Sequence, residues 1–314
     1  MIRTFEGVLI AARDLPESRI AVAGADDAAV IEAIRLAEEE GLSRALLFGD
    51  AEKIRAEMSR CQAAPAHAEI IQSEDSCASA VDAVSGGMAD CVLKGNVATN
   101  AILKAVLKRD AGEAGVRKLI SHVAIIENPP QNRLLICTDG GMVIDPDAGE
   151  KAAILDNALV VAHAIGVERP KVGLPALMED KGQDIKSLND ARELMAMHKG
   201  GRWEGIQMDG PFGVDVFLDR EAAEHKRIKS ALAGEVDILL FPNTDACNLA
   251  VKMVLYYCSK DMIGLVVGGL TPVILVSRAH SPRAKLISIA LAKLVGQYQQ
   301  GERASAVAAG AGGE

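Results

Sequence analysis

Residues 19–41, RIAVAGADDAAVIEAIRLAEEEG, contain the unit from which most of the chain is built. Ile20 to Ala23 is a short uninterrupted apolar run, the pattern of a strand buried on both faces. Gly24-Ala25-Asp26-Asp27 is a turn, and from Ala28 apolar residues recur at helical spacing until Gly41 ends the helix. The same order repeats down the chain. ALLFGD (45–50) is a strand followed by the helix AEKIRAEMSR, and Glu69 to Gln72 is a weaker strand. SCASAVDAVSGGMAD is a helix closed by Gly86-Gly87, and CVLKGN is a strand ending in Lys94-Gly95-Asn96. Strand and helix alternating at this spacing predict a parallel sheet covered on both faces, an α/β fold. Residues 1–18 read as a short leading helix.

The rhythm changes at ISHVAIIENPPQNRLLICTDGG (120–141), where two β-rich runs flank a Pro-Pro turn and predict an antiparallel excursion. After Asp145-Pro146 a helix runs to about Ile165, and a domain boundary is expected near residue 147. KVGLPALM, GIQMDGP, DILLFPN and IGLVVGG supply further strands. The tail GERASAVAAGAGGE is of low complexity, and disorder is expected over 301–314.

Residues 268–285, GGLTPVILVSRAHSPRAK, carry the clearest chemical signal. Pro272 to Val276 is a β-branched apolar run, Ser277-Arg278 follows it, and Ser281-Pro282 opens a long helix with an N-cap residue and a first-turn proline. A hydroxyl and a guanidinium thus stand beside free helix N–H groups at the positive end of a helix dipole, a setting that favours an anion such as phosphate. Polar groups also gather at the other strand ends: Gly49-Asp50, Thr138-Asp139, Glu179-Asp180, Asp209-Gly210-Pro211 and Asn243-Thr244-Asp245. Open parallel sheets bind ligands there, although any loop joining strand to helix is polar because it turns in water.

Composition narrows the field. Apolar residues make up 49% of the chain but aromatic ones only 3%, so the cores must be aliphatic. A formal net charge of −9 argues against nucleic-acid or anionic-membrane partners. The six cysteines show no metal-ligand spacing, no metal is expected, and their apolar contexts fit reduced core residues of a cytoplasmic protein. The N-terminal apolar run is short and lacks a cleavage pattern, so no signal peptide is expected, and no segment has the ~18 apolar residues of a membrane span. The first turn has no GxGxxG, and the chain holds no GxxxxGK[ST], GxSxG or HExxH. His122 and His280 differ from the other histidines in lying beside predicted strand ends.

The segments VLKGNVATNAILKAVL, LISHVAIIENP, LLICTDGGMVIDPD, ERPKVGLPAL, MDGPFGVD, DILLFPNTDACNLAVK and GGLTPVILVSRAHSPRAKLISIALA together resemble the phosphate acyltransferases, specifically the phosphate butyryltransferase branch. The resemblance covers about Arg19 to Ala292. It implies a two-domain, three-layer α/β/α fold like that of isocitrate dehydrogenase, with mostly parallel sheets and an interdomain active-site cleft. Residues 1–146 with 268–300 would form one domain and 147–267 the other. It also implies an acyl-CoA substrate, inorganic phosphate as acceptor, coenzyme A as product, and a homo-oligomer built on a dimer. Ser277, Arg278, His280 and Asp139 are the expected catalytic residues; because the thiol must be deprotonated in the reverse reaction, His280 is the first candidate base and Asp139 the second. Lys94, Thr99, Ser121, His122, Asn248, Lys252, Thr271 and Ser281 are the expected substrate-binding residues. The chain has Val143, Cys247 and His280 where the family has Asn, Gly and Asp, and Ala284 where the acetyltransferase branch has a catalytic Asp. The butyryl branch shares that last difference. Two rivals stay open: an acyl-CoA or acyl-phosphate binding homologue without turnover, and a nicotinamide-dependent decarboxylating dehydrogenase on the same scaffold.

Overall fold

The computed structural model describes residues 1–61, 64–114, 119–258, 261–275 and 280–311. The chain divides into two compact units, Phe5–Lys118 with Ile263–Glu314, and Met1–Thr4 with Leu119–Met262. These divisions differ from the boundaries at 147 and 268 read from the sequence.

The first unit opens with α1 (Phe5–Arg13) and then runs β1 (Ser18–Ala23), α2 (Ala28–Glu39), β2 (Ser43–Gly49), α3 (Ala51–Arg60), β3 (Glu69–Gln72), α4 (Ser76–Ser85), β4 (Cys91–Lys94) and α5 (Thr99–Ala114). The alternation expected from residues 19–96 is therefore present. Strands β3, β2, β1 and β4 lie side by side and parallel. Helix α2 shows why the local sequence folds this way. The Asp27 carboxylate accepts from Val30 N at 3.0 Å at its N-terminus, and Val30, Ile31, Ala33, Ile34 and Ala37 form its buried stripe. Each large aliphatic side chain buried there contributes roughly 1.5–3 kcal/mol. The unit is completed by β10 (Met262–Val267), β11 (Val273–Ile274) and α11 (Pro282–Ala311). Strand β11 pairs parallel to β4 and antiparallel to β10. The expected tail disorder gives way to helix as far as Ala311, since alanine is the strongest helix former. Arg303 Nη2 anchors this stretch on the Leu270 carbonyl at 2.7 Å.

In the second unit β5 (Ser121–Asn128) and β6 (Arg133–Thr138) form the expected antiparallel hairpin around a 3-10 turn at Pro129–Gln131. Next come α6 (Ala148–Ala164), β7 (Lys171–Pro175), α7 (Lys186–Lys199), β8 (Gln207–Phe212), α8 (Val214–Leu218), α9 (Arg220–His225), β9 (Ile238–Leu240) and α10 (Thr244–Tyr257). The order is β5-β6-β9-β7-β8, with β6, β9, β7 and β8 parallel. That pairing explains why residues 119–146 group here: β6 is hydrogen-bonded to β9 of the same unit. The first four residues join it because Ile2 N donates to the Ile165 carbonyl at 2.8 Å. Among the described residues no helix is long and apolar enough to cross a membrane.

Candidate functional site

In the first unit the candidate groups collect where β4 ends and α11 begins. Two loops interlock there. Gly95 N donates to the Ala23 carbonyl at 2.9 Å and Asn96 N to the Gly24 carbonyl at 2.6 Å. A Cβ on Gly95 would lie 2.1 Å from the Gly24 oxygen, so only glycine lets the backbones approach this closely. Gly24 itself has φ +70, which permits the turn. The crossing fixes Lys94, 8% exposed, with Nζ donating to the Gly95 carbonyl at 3.2 Å. At the head of α11, Ser281 Oγ accepts from Ala284 N at 3.0 Å, making Ser281 an N-cap as its sequence position predicts. His280 is buried, and its carbonyl accepts from Lys285 Nζ at 2.7 Å. Burial lowers the pKa of Lys285; the Asp27 carboxylate opposes the shift and the Lys94 charge adds to it. Ser277 and Arg278 lie outside the described residues.

Two expected residues of this unit stand apart. Strand β11 aligns Val273 with Val92 and Ile274 with Leu93, so Thr271 is level with the start of β4, not with Lys94 at its end. Thr271 instead lines a pocket of about 160 Å³ with Asp110 and Arg303. Thr99 is exposed at the first position of α5.

In the second unit His122 and Asn248 gather around Asp139 and the loop that follows it. Asp139 Oδ1 accepts from His122 N at 3.0 Å, Gly141 N at 2.9 Å and Met142 N at 3.1 Å, while Oδ2 accepts from Val143 N at 2.8 Å. This buried carboxylate thus ties the loop after β6 to the start of β5. Thr138 Oγ1 donates to the His122 carbonyl at 3.0 Å, and Asn248 Nδ2 on α10 donates to the Gly140 carbonyl at 2.7 Å. Val143 lacks the amide of the family's Asn, yet its backbone still serves: its carbonyl accepts from Thr244 Oγ1 at 2.5 Å. Cys247 is fully buried, with Sγ 3.3 Å from where a Cβ on Gly140 would be, so it fills the space beside the glycine loop.

The His122 ring packs over Gly140 and Gly141. Its Nδ1 is sealed from solvent and has no hydrogen-bond partner among the described residues. Burial lowers its pKa, opposed by the nearby Asp139 charge, so the ring is neutral near pH 7. Ser121 is fully buried and its Oγ accepts from Asn157 Nδ2 at 2.9 Å, which directs the hydroxyl into the interior. Lys252 is exposed on α10. The sequence alone assigns no chemical role to Asn157 or Lys285; the first has no local motif, and the second stands within the motif that carries the resemblance. Burial raises the Cys247 thiol pKa well above its ordinary value and that of Cys137 to about 12, so neither is an available thiolate. Among the described residues no three His, Cys, Asp or Glu side chains could hold a metal ion.

A family model described as phosphate acetyl/butaryl transferase matches residues 62–293. The chain belongs to this family. It is 37% identical over 298 residues to a phosphate butyryltransferase of Clostridium beijerinckii, covering 94% of this chain and 98% of the relative. It is 34% identical over 275 residues to a phosphate acetyltransferase of Thermotoga maritima, covering 87% and 93%. Among solved structures, a branched-chain phosphotransacylase from Enterococcus faecalis superposes with a TM-score of 0.75 at 25% identity, over 88% of this chain and 99% of that one. A 4-hydroxythreonine-4-phosphate dehydrogenase from Klebsiella pneumoniae, 12% identical with a TM-score of 0.58, shares the fold alone. Membership of the phosphate acyltransferases and a dehydrogenase-like α/β fold, both expected from the motifs, are thereby established.

Proposed function

We propose that this transferase moves a short acyl group, butyryl or acetyl, from acyl-CoA to inorganic phosphate by direct transfer in a ternary complex. The observation that carries the reading is the 37% identity to a phosphate butyryltransferase across almost the full length of both chains. A phosphate oxygen attacks the thioester carbonyl, the carbon–sulfur bond breaks, and coenzyme A leaves as a thiolate. The reverse reaction consumes acyl phosphate and the thiol.

Phosphate must be oriented while its charge is partly neutralised. We assign this to Arg278, with Ser277 donating to phosphate or to the developing oxyanion; both come shortly before α11 in sequence. Lys94 adds positive charge at the end of β4. His280 is the assigned base for the thiol in the reverse direction. Asp139 is assigned a positioning role, because both its oxygens already accept backbone N–H groups. The unpaired Nδ1 of His122 is assigned to a substrate contact, since a buried polar atom without a partner is costly unless a ligand completes it. The raised thiol pKa values favour direct transfer over an acyl-cysteine intermediate. A cytoplasmic homodimer is the proposed state.

Thiol release from butyryl-CoA should require inorganic phosphate. Release at the same rate without phosphate would remove the transferase reading, and formation of reduced nicotinamide during turnover would favour a decarboxylating dehydrogenase.

A further inference from the structure

Among the described residues four lysines are buried: Lys94, Lys151, Lys285 and Lys293. Lys151 is held as a structural lysine should be, in an ion pair with the buried Asp190. Lys293 donates to the Leu42 carbonyl in the field of two acids, Glu17 and Asp90. Lys285 is the most deeply enclosed with Lys151, at 2% exposure, and is held differently. Its Nζ donates to the His280 carbonyl, a neutral acceptor, and among the described residues no carboxylate forms an ion pair with it. The elements packed against α11 supply little compensation. Asp27, at the head of α2, attracts it but is committed to capping that helix through Val30 N. Lys94, at the end of β4, is a second cation and repels it. Strand β11 brings only Val273 and Ile274, and Glu6 of α1 is engaged by Arg283. A buried charge left this poorly matched is expensive in the empty protein.

We propose that Lys285 is a positioning and charge-supplying residue for a phosphate group of the substrates: it clamps the His280–Ser281 turn from beneath and sets a buried positive charge behind it. This rests on the transferase reading above. Two sources share the chemistry, inorganic phosphate and the phosphates of coenzyme A, and separate KM measurements distinguish them. Because burial lowers its pKa, Lys285 loses its proton at lower pH than a free lysine, so phosphate affinity should weaken as pH rises.

The test compares wild type, Lys285→Met and Lys285→Arg. Lys285→Met should raise the KM for one phosphate-bearing substrate by about tenfold or more, as loss of a charged contact does. Its Tm should stay at or above wild type, since a buried unmatched charge is replaced by an apolar chain of similar length. Lys285→Arg should restore the KM, which a purely packing role would not predict. As pH rises toward the ordinary lysine value of ~10.4, the wild-type KM should climb while that of Lys285→Arg stays flat. If Lys285→Met does not fold, this pH comparison decides alone. Both KM values of Lys285→Met within about twofold of wild type, or parallel pH series, would overturn the proposal. If wild type itself shows no phosphate-dependent thiol release, the function reading fails separately. The rise in Tm caused by inorganic phosphate, lost in Lys285→Met and kept in Lys285→Arg, still reads the role of Lys285; an equal rise in all three proteins overturns it.

Discussion

Asp139 and His122 show how single residues acquire meaning from what surrounds them. Asp139-Gly140-Gly141 looks like an ordinary turn in sequence, but the carboxylate gathers four backbone N–H groups and joins two segments 17 residues apart. His122 lies on that framework with a buried ring and a lowered pKa. The sign of its pH effect follows. The unfolded chain takes up a proton near the ordinary value of ~6.5, whereas the folded ring resists protonation until lower pH. Its contribution to stability is therefore full above ~6.5 and is lost as pH falls from there toward the lowered folded value. Thermal melts between about pH 7 and pH 5 should show a steeper loss of Tm in wild type than in His122→Asn. Equal slopes would remove the buried neutral ring from the account.

Among the elements, the crossing of the β1–α2 and β4–α5 loops matters most, because it sets the position of Lys94. Gly95 is central, since its Cα faces a backbone oxygen that has no rotamer to yield. Gly95→Ala should cost about 2 kcal/mol or more in chemical denaturation, toward the upper end for overpacking. It should also raise the KM for phosphate-bearing substrates. A variant as stable as wild type would show that the loops part easily. Helix α11 runs on through the alanine-rich part of the low-complexity stretch as far as Ala311, in keeping with the high helix propensity of alanine.

For the whole molecule, the reaction class follows from family membership, while the acyl preference must come from the shape of the pocket. Each methylene buried in such a pocket contributes about 0.8 kcal/mol, so chain-length discrimination should be graded. In an assay with phosphate and acyl-CoA esters of increasing length, kcat/KM should rise from acetyl to butyryl by roughly tenfold and then fall as the pocket fills. A flat profile would mean that the acyl chain is not enclosed. The contact-based division into two units also belongs to this scale. The sequence expectation puts residues 119–146 in the first domain, whereas β6 pairs with β9 and contact grouping places 119–146 with the later strands.

Much was legible locally. The strand–turn–helix unit of residues 19–41, its repeats to Lys94, the hairpin around Pro129-Pro130 and the Ser281-Pro282 helix start all depend on nearest-neighbour sterics and periodicity, which a single stretch of sequence contains. The motifs ending in Ala292 were specific enough to identify the family. Tertiary structure alone decided which polar residues share an environment. It turned the Ser121 hydroxyl toward Asn157, set Thr271 level with the start of β4 and away from Lys94, closed four N–H groups on Asp139 and buried Lys285 with no carboxylate paired to it among the described residues. Burial and hydrogen-bond partnership depend on segments tens to hundreds of residues apart, and no local pattern encodes the distance between them.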